Sequence, residues 1–261
     1  MLPIVDTSAR AARRRLTCAT RLGLALAFAS VACSTTVGPV VDGFDAASLS
    51  DNWSSRKLLP GGLEITSSIV RAGSSAAHFT IRQGDQLPAE RGSVLERAEI
   101  EEAEHLWSVE DLSYRYAFSL YLPREFPLVP TRVVLAQWKQ ECPIDACVPD
   151  NPLIALRYEN GVFFITQQST ATRQTLYQSA ADVRGQWLDC DFAIRFSRAQ
   201  GRVLASINGA RVLEYEGPTA YPATGGYDNA PRFYFKAGLY RDSVPETMTS
   251  YLDEYRKERM D

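Results

Sequence analysis

The chain has 261 residues, 45% of them hydrophobic and 23% charged, which supplies apolar material for a sizeable core and excludes a disordered chain. The formal net charge is −3, and five of the arginines sit in the first 21 residues. Bulk attraction to nucleic acid is therefore a poor explanation of function.

Residues 1–32 read as a processing segment. Arg10, Arg13, Arg14, Arg15 and Arg21 make a basic start, and the apolar run from Leu22 to Ala32 is too short to span a bilayer. The run ends Ala29-Ser30-Val31-Ala32-Cys33, which fits a bacterial lipoprotein cleavage site with Cys33 as the lipidated first residue. Ordinary signal-peptide cleavage after Ala29 or Ala32 is the alternative. The expected organisation is a signal peptide over 1–32, a tether over 33–43 and one folded domain over 44–261. Loss of residues 1–32 removes five Arg and one Asp and moves the formal charge from −3 to −7. The expected location is periplasmic, or anchored at the outer membrane or cell surface. The only membrane contact expected is a lipid anchor, and a monomer is expected.

Short alternating stretches follow, separated by turns. His78 shares a strand side with Thr80 and Arg82 and reads as structural. In Arg97-Ala98-Glu99-Ile100, Arg97 and Glu99 share a face. Ser108–Leu112 and Ser179–Val183 are candidate helical turns. Tyr114–Leu122 places Tyr114, Tyr116, Phe118, Leu120 and Leu122 inward. Arg132–Gln140 is a strand in which Gln137 and Lys139 share a face. Cys142 and Cys147 bracket a short Pro-bearing loop and, in an oxidising compartment, are expected to form a local disulfide. Leu153–Tyr158 carries Arg157 and pairs with Val162–Gln167 across Glu159-Asn160-Gly161. Trp187–Phe196 buries Cys190. Asn208-Gly209 calls for a type I′ turn between Val203–Ile207 and Arg211–Tyr215. Arg232–Arg241 alternates Phe233, Phe235, Ala237 and Leu239 on one side with Arg232, Tyr234, Lys236, Gly238 and Tyr240 on the other. Such a polar face suits the floor of a groove for an anionic ligand, with Gly238 leaving room beside Tyr240. Asp253-Glu254 is followed by a charged tail that makes no clean strand face. Trp107, Trp138 and Trp187 are either core aromatics or, in one case, a sugar-stacking surface. The spacing predicts an all-β, two-sheet sandwich or jelly roll.

Tyr234-Phe235-Lys236-Ala237-Gly238-Leu239-Tyr240 resembles the signature strand of polysaccharide lyases with a concanavalin-A-like jelly roll. These are the heparin-lyase-like and glucuronan-lyase-like branch, related to alginate lyases. Arg97-Ala98-Glu99-Ile100 and Gln137-Trp138-Lys139 resemble two further motifs in the same order, with Lys139 where relatives often carry His. Gly185-Gln186-Trp187, Asn208-Gly209 and Tyr251-Leu252-Asp253-Glu254 accompany them, so the likeness runs from about Phe44 to Tyr255.

The resemblance implies β-elimination on a uronate-containing polysaccharide. A base takes the C5 proton, the C4–O bond breaks, and an acid protonates the leaving oxygen while a neighbouring group neutralises the carboxylate. Tyr240 would give the proton and, when ionised, could serve as the base. Gln137 would bind the carboxylate, and Arg97 and Lys139 would add positive charge. Lys236, Tyr234, Arg157 and Glu99 would line the substrate site, with Glu99 better suited to anchoring Arg97. An acidic polysaccharide is the implied partner, which an acidic protein can hold only in a locally basic groove. No cofactor is expected, and a structural calcium stays open. The alternatives are a non-catalytic carbohydrate-binding protein on the same fold, or a glycoside hydrolase. The hydrolase needs two carboxylates flanking the bond, and no strand carries its usual Glu-x-Asp-x-x-Glu pattern.

Overall fold

The computed structural model describes residues 38–142, 151–223 and 230–261. Its strands are β1 (Val40–Asp42), β2 (Trp53–Lys57), β3 (Leu63–Thr66), β4 (Ala76–Ile81), β5 (Leu95–Glu102), β6 (Ser108–Val109), β7 (Ser113–Tyr121) and β8 (Val133–Gln140). They continue as β9 (Ile154–Glu159), β10 (Val162–Gln167), β11 (Gln174–Gln178), β12 (Trp187–Arg195), β13 (Arg202–Ile207), β14 (Ala210–Glu216), β15 (Arg232–Asp242) and β16 (Met248–Met260). One antiparallel sheet runs β14-β13-β12-β7-β16-β4-β3, with β1 on β16. The other runs β11-β10-β9-β8-β15-β5-β2, with β6 on β15. This is the expected jelly-roll sandwich.

Alternation explains the core. Tyr116 and Phe118 of β7, Phe192 of β12 and Tyr255 of β16 face Trp138 of β8 and Phe235 of β15. The Trp138 ring lies 4.8 Å from Phe192 and 5.0 Å from Phe235, tilted rather than face to face. Buried rings of this size contribute more per residue than any aliphatic neighbour. Free Cys190 is buried there, and burial with nearby carboxylates pushes its thiol well up. Both hairpin signals fold as read. Asn160 and Gly161, and Asn208 and Gly209, all take positive φ, as a type I′ turn requires.

Four expectations change. The sandwich begins before Phe44, because β1 pairs with Tyr255–Lys257 and takes in part of the segment read as a tether. Ser108–Leu112 is not a helical turn: Ser108 and Val109 pair with β15, where Phe233 and Arg232 offer a strand edge. Ser179–Val183 is irregular, and the short helical turns fall at Pro88–Glu90 and Glu104–Leu106. The charged tail is the longest strand. A register shift between Asp253 and Arg256, with Glu254 at φ 54°, breaks the alternation that would have revealed it.

That tail also ties the sheets together. Lys257 reaches Glu102 of β5 at 3.0 Å, and Tyr255 Oη donates to the same carboxylate. The other Glu102 oxygen accepts the Phe235 backbone N–H at 3.0 Å.

Candidate active site

β15 is flanked by β8 and β5, so its polar face is the floor of the second sheet's outer surface. Register sets the rows. Tyr240 sits opposite Arg97 on β5 and Val134 on β8, and Val134 sits opposite Arg157 on β9. Lys236 sits opposite Glu101 and Gln137. Register shifts on β8 and β15 put Val134, Gln137 and Lys139 on the groove side and leave Leu135 and Ala136 in the core.

Two adjoining hollows of about 500 and 470 Å³ share Glu90, Arg97, Lys139 and Lys236. The second is lined by Tyr240 and Gln137, by six cations (Arg97, Arg132, Lys139, Arg157, Arg173, Lys236) and by one carboxylate, Glu90. The locally basic groove expected within an acidic chain is therefore present.

Glu99 organises the floor. It is buried, accepts from Gln137 Nε2, and lies 3.1 Å from both Lys236 Nζ and Arg97 Nη1. Burial alone would raise its carboxyl, yet Lys236 and Arg97 hold it below the ordinary range. A side chain so enclosed anchors its neighbours; as a substrate-binding group it is corrected to a positioning one. Arg97 is spent twice over, since its Nη2 also meets Glu90 at 2.5 Å. Lys236 is 2% exposed, and burial lowers its ammonium to about 8; Glu99 opposes the shift, while Arg97 and Lys139 add to it.

Tyr240 lies among guanidiniums. The Cζ atoms of Arg97 and Arg132 stand 4.3 and 4.8 Å from its ring centroid. Arg132 is oriented by a two-pronged pair with Asp242, at 3.1 and 2.9 Å. Arg157 is 3% exposed and gives Nε to Thr166 Oγ1 at 3.0 Å, while its buried Nη1 has no partner. Burial, with Arg173 and Arg132 nearby, lowers Arg157 to about 10.

Of the residues expected here, Arg97, Glu99, Gln137, Lys139, Arg157, Lys236 and Tyr240 gather on one face. Tyr234 lines the adjoining hollow, stacked on Trp107 at 4.7 Å. Trp138 is core, and Trp187 packs on Tyr121 of the opposite sheet, so Trp107 is the groove aromatic. His78 stacks on Tyr251 in that opposite sheet. Gly238 does not make room for ligand. A Cβ there would meet the Ala98 carbonyl oxygen at 2.2 Å, so the glycine serves close strand approach, at φ 131°. Arg132, Arg173 and Glu90 were not foreseen. Arg132 immediately precedes β8, but only the β15 register brings it to Tyr240, and no sequence pattern marks the other two. Cys142 is disulfide-bonded; Cys33 and Cys147 lie outside the described residues. Among the described residues no group of three or more His, Cys, Asp or Glu is arranged to hold a metal ion.

A family model described as polysaccharide lyase matches residues 43–256. No curated protein matches the chain. Among solved structures, an endo-β-1,4-glucuronan lyase from the fungus Trichoderma reesei is similar, at TM-score 0.58 and 17% identity. That match covers 87% of this chain and 96% of the other. An alginate lyase of polysaccharide lyase family 7 matches at TM-score 0.53 and 16% identity, covering 78% of this chain and 85% of its own. The alginate lyase from Corynebacterium sp. matches at 0.51 and 15%, covering 76% and 81%.

Proposed function

The chain belongs to the polysaccharide lyase family, and from that premise we propose that it cuts a uronate-containing polysaccharide by β-elimination in the groove over β8, β15 and β5. The observation that carries this reading is Tyr240 held between two guanidiniums in a hollow lined by six cations and one carboxylate. Such a surface is suited to a polyanion and places a hydroxyl among charges that stabilise a developing oxyanion. The glucuronan and alginate lyases of similar fold support an acidic substrate.

Elimination needs no water. The C5 proton is removed, its electron pair forms the C4–C5 double bond, and the C4–O bond breaks. Tyr240 delivers a proton to the departing oxygen. Where the C5–H and the leaving oxygen lie on one side of the ring, the ionised Tyr240 oxygen takes the C5 proton first and then gives that same proton to the leaving oxygen. Gln137, fixed by Glu99, and Lys139, on the same strand face, meet the sugar's carboxylate. Arg97 supplies charge from the opposite strand.

The test is the ultraviolet absorbance of unsaturated uronate product. It should appear when the protein is mixed with at least one of glucuronan, alginate, heparin, hyaluronan or pectate. Binding to one of these without product would instead favour the non-catalytic carbohydrate-binding reading. We also propose that the chain is exported and anchored through Cys33, on the strength of the basic start, the apolar run and the small residues before that cysteine.

A further inference from the structure

Three of the six cations around Tyr240 already have a carboxylate. Arg97 has Glu90 and Glu99, Arg132 has Asp242, and Lys236 has Glu99. Arg157 has none among the described residues, although it is 3% exposed. Its one hydrogen bond goes to the neutral hydroxyl of Thr166, and its Nη1 is buried with no partner. Burial disfavours its charge, Arg173 and Arg132 stand close enough to repel it, and among the described residues only the Tyr240 oxygen acts the other way. A buried charge without a partner is costly and is retained where something else supplies the counter-charge. Arg157 lines the same hollow as Tyr240 and Gln137. Two strand spacings separate it from Tyr240 across Val134, about 10 Å between backbones, and the two side chains are near enough to interact electrostatically.

We propose that Arg157, flanked by Arg132 and Arg173, is an oxyanion site that takes the carboxylate of the uronate presented to Tyr240. This rests on the lyase reading and sharpens it. The group that neutralises the carboxylate is the buried guanidinium with no carboxylate among the described residues, more than Arg97, whose charge is already met twice, or Arg173, which is exposed to solvent. A planar guanidinium with a free edge suits a planar carboxylate. Even with its pKa lowered to about 10, Arg157 stays protonated at neutral pH.

The test is calorimetric binding of glucuronate and mannuronate tetrasaccharides, and of their carboxyl-reduced counterparts, to Tyr240→Phe protein, which does not consume them. At least one uronate tetrasaccharide should bind, and the reduced one should not. Adding Arg157→Met should weaken binding by about tenfold or more, the worth of a charge-assisted hydrogen bond, and Arg157→Lys should recover part of it. Without ligand, Arg157→Met should melt no lower than its parent, because it removes an unpaired buried charge. Arg157→Gln keeps a donor for Thr166 and serves if the methionine variant fails to fold. Unchanged affinity in Arg157→Met or Arg157→Gln overturns the proposal, as does failure of both uronate tetrasaccharides to bind. If wild type makes unsaturated product while Arg157 variants bind normally, this site falls and the lyase reading stands. If binding depends on Arg157 but wild type makes no product from any uronate polymer, the lyase reading falls and the oxyanion site stands.

Discussion

The guanidinium of Arg97 covers the ring of Tyr240, its Cζ 4.3 Å from the centroid, while Nη1 of the same group lies 3.1 Å from the buried carboxylate of Glu99. The residue proposed to carry the proton and a buried anion of the floor are thus linked through one side chain.

Tyr240→Phe keeps the ring under Arg97 and Arg132 and removes only the hydroxyl. The expected result is an unchanged melting temperature and a kcat lower by about a hundredfold to ten-thousandfold, the usual scale for losing a positioned general acid–base group. Continuous ultraviolet assay of product checks it.

Lys139→His separates two roles. If Lys139 takes the place of the relatives' histidine, the variant should retain or raise activity on at least one uronate polymer. A twofold or smaller change in Lys139→Met on every substrate that wild type cuts would instead mark Lys139 as a surface charge. Initial rates across the panel decide between them.

Glu99→Gln leaves Lys236 and Arg97 facing each other without their shared counter-charge. Removing one member of a buried ionic set costs about 3–5 kcal/mol. Chemical denaturation should show that loss, and it should shrink when Lys236→Met is added, since the two sites are coupled.

The pH dependence follows from Lys236, which faces Glu99, Arg97, Lys139 and Glu101. Its ammonium is lowered from 10.5 to about 8, so the folded protein releases this proton before the unfolded chain does. Between those two values the unfolded state binds more protons, and the Lys236 contribution to stability rises with pH; below about 8 the buried charge is a constant cost. Glu99 changes stability in the same direction in a more acidic range, its contribution being lost as pH falls through its depressed value. In the groove, deprotonation of Lys236 removes one positive charge. KM for a uronate polymer should therefore rise above pH about 8, and this rise should be absent in Lys236→Met.

Cys33→Ala should shift the protein from the membrane fraction to the soluble one, or block its processing. Unchanged fractionation, with a mature N-terminus elsewhere, would remove the anchor from the account.

The fold was legible because alternation is a local signal. Tyr114–Leu122 and the two Asn-Gly hairpins declare themselves within ten residues. β16 was not, because its register shift between Asp253 and Arg256 breaks the period that marks a strand. The site divides the same way. Gln137 and Lys139 share a face by adjacency, and Arg97 with Glu99 likewise. Arg132 belongs to the site only because β15 and β8 change register between Ala237 and Tyr240, a property of two strands distant in sequence. The anchoring role of Glu99 needed β15 beside β5 and β8 beside β15, so three separate segments had to be placed before its burial could be read.

Gly238 sits opposite Glu99, two residues from Tyr240, where even a methyl group would strike the Ala98 carbonyl. The spacing between β5 and β15 is therefore fixed by backbone against backbone. A larger residue there would pry Arg97 away from Tyr240 without touching either, and would be felt as lost catalysis from a position no substrate reaches. The opposite wall has no such stop. Between β8 and β9 the register already slips, between Val134 and Ala136, and that wall carries Arg157. One side of the groove is set by backbone contact and the other by side chains, so changes of substrate preference should be sought by varying β8 and β9 rather than the signature strand.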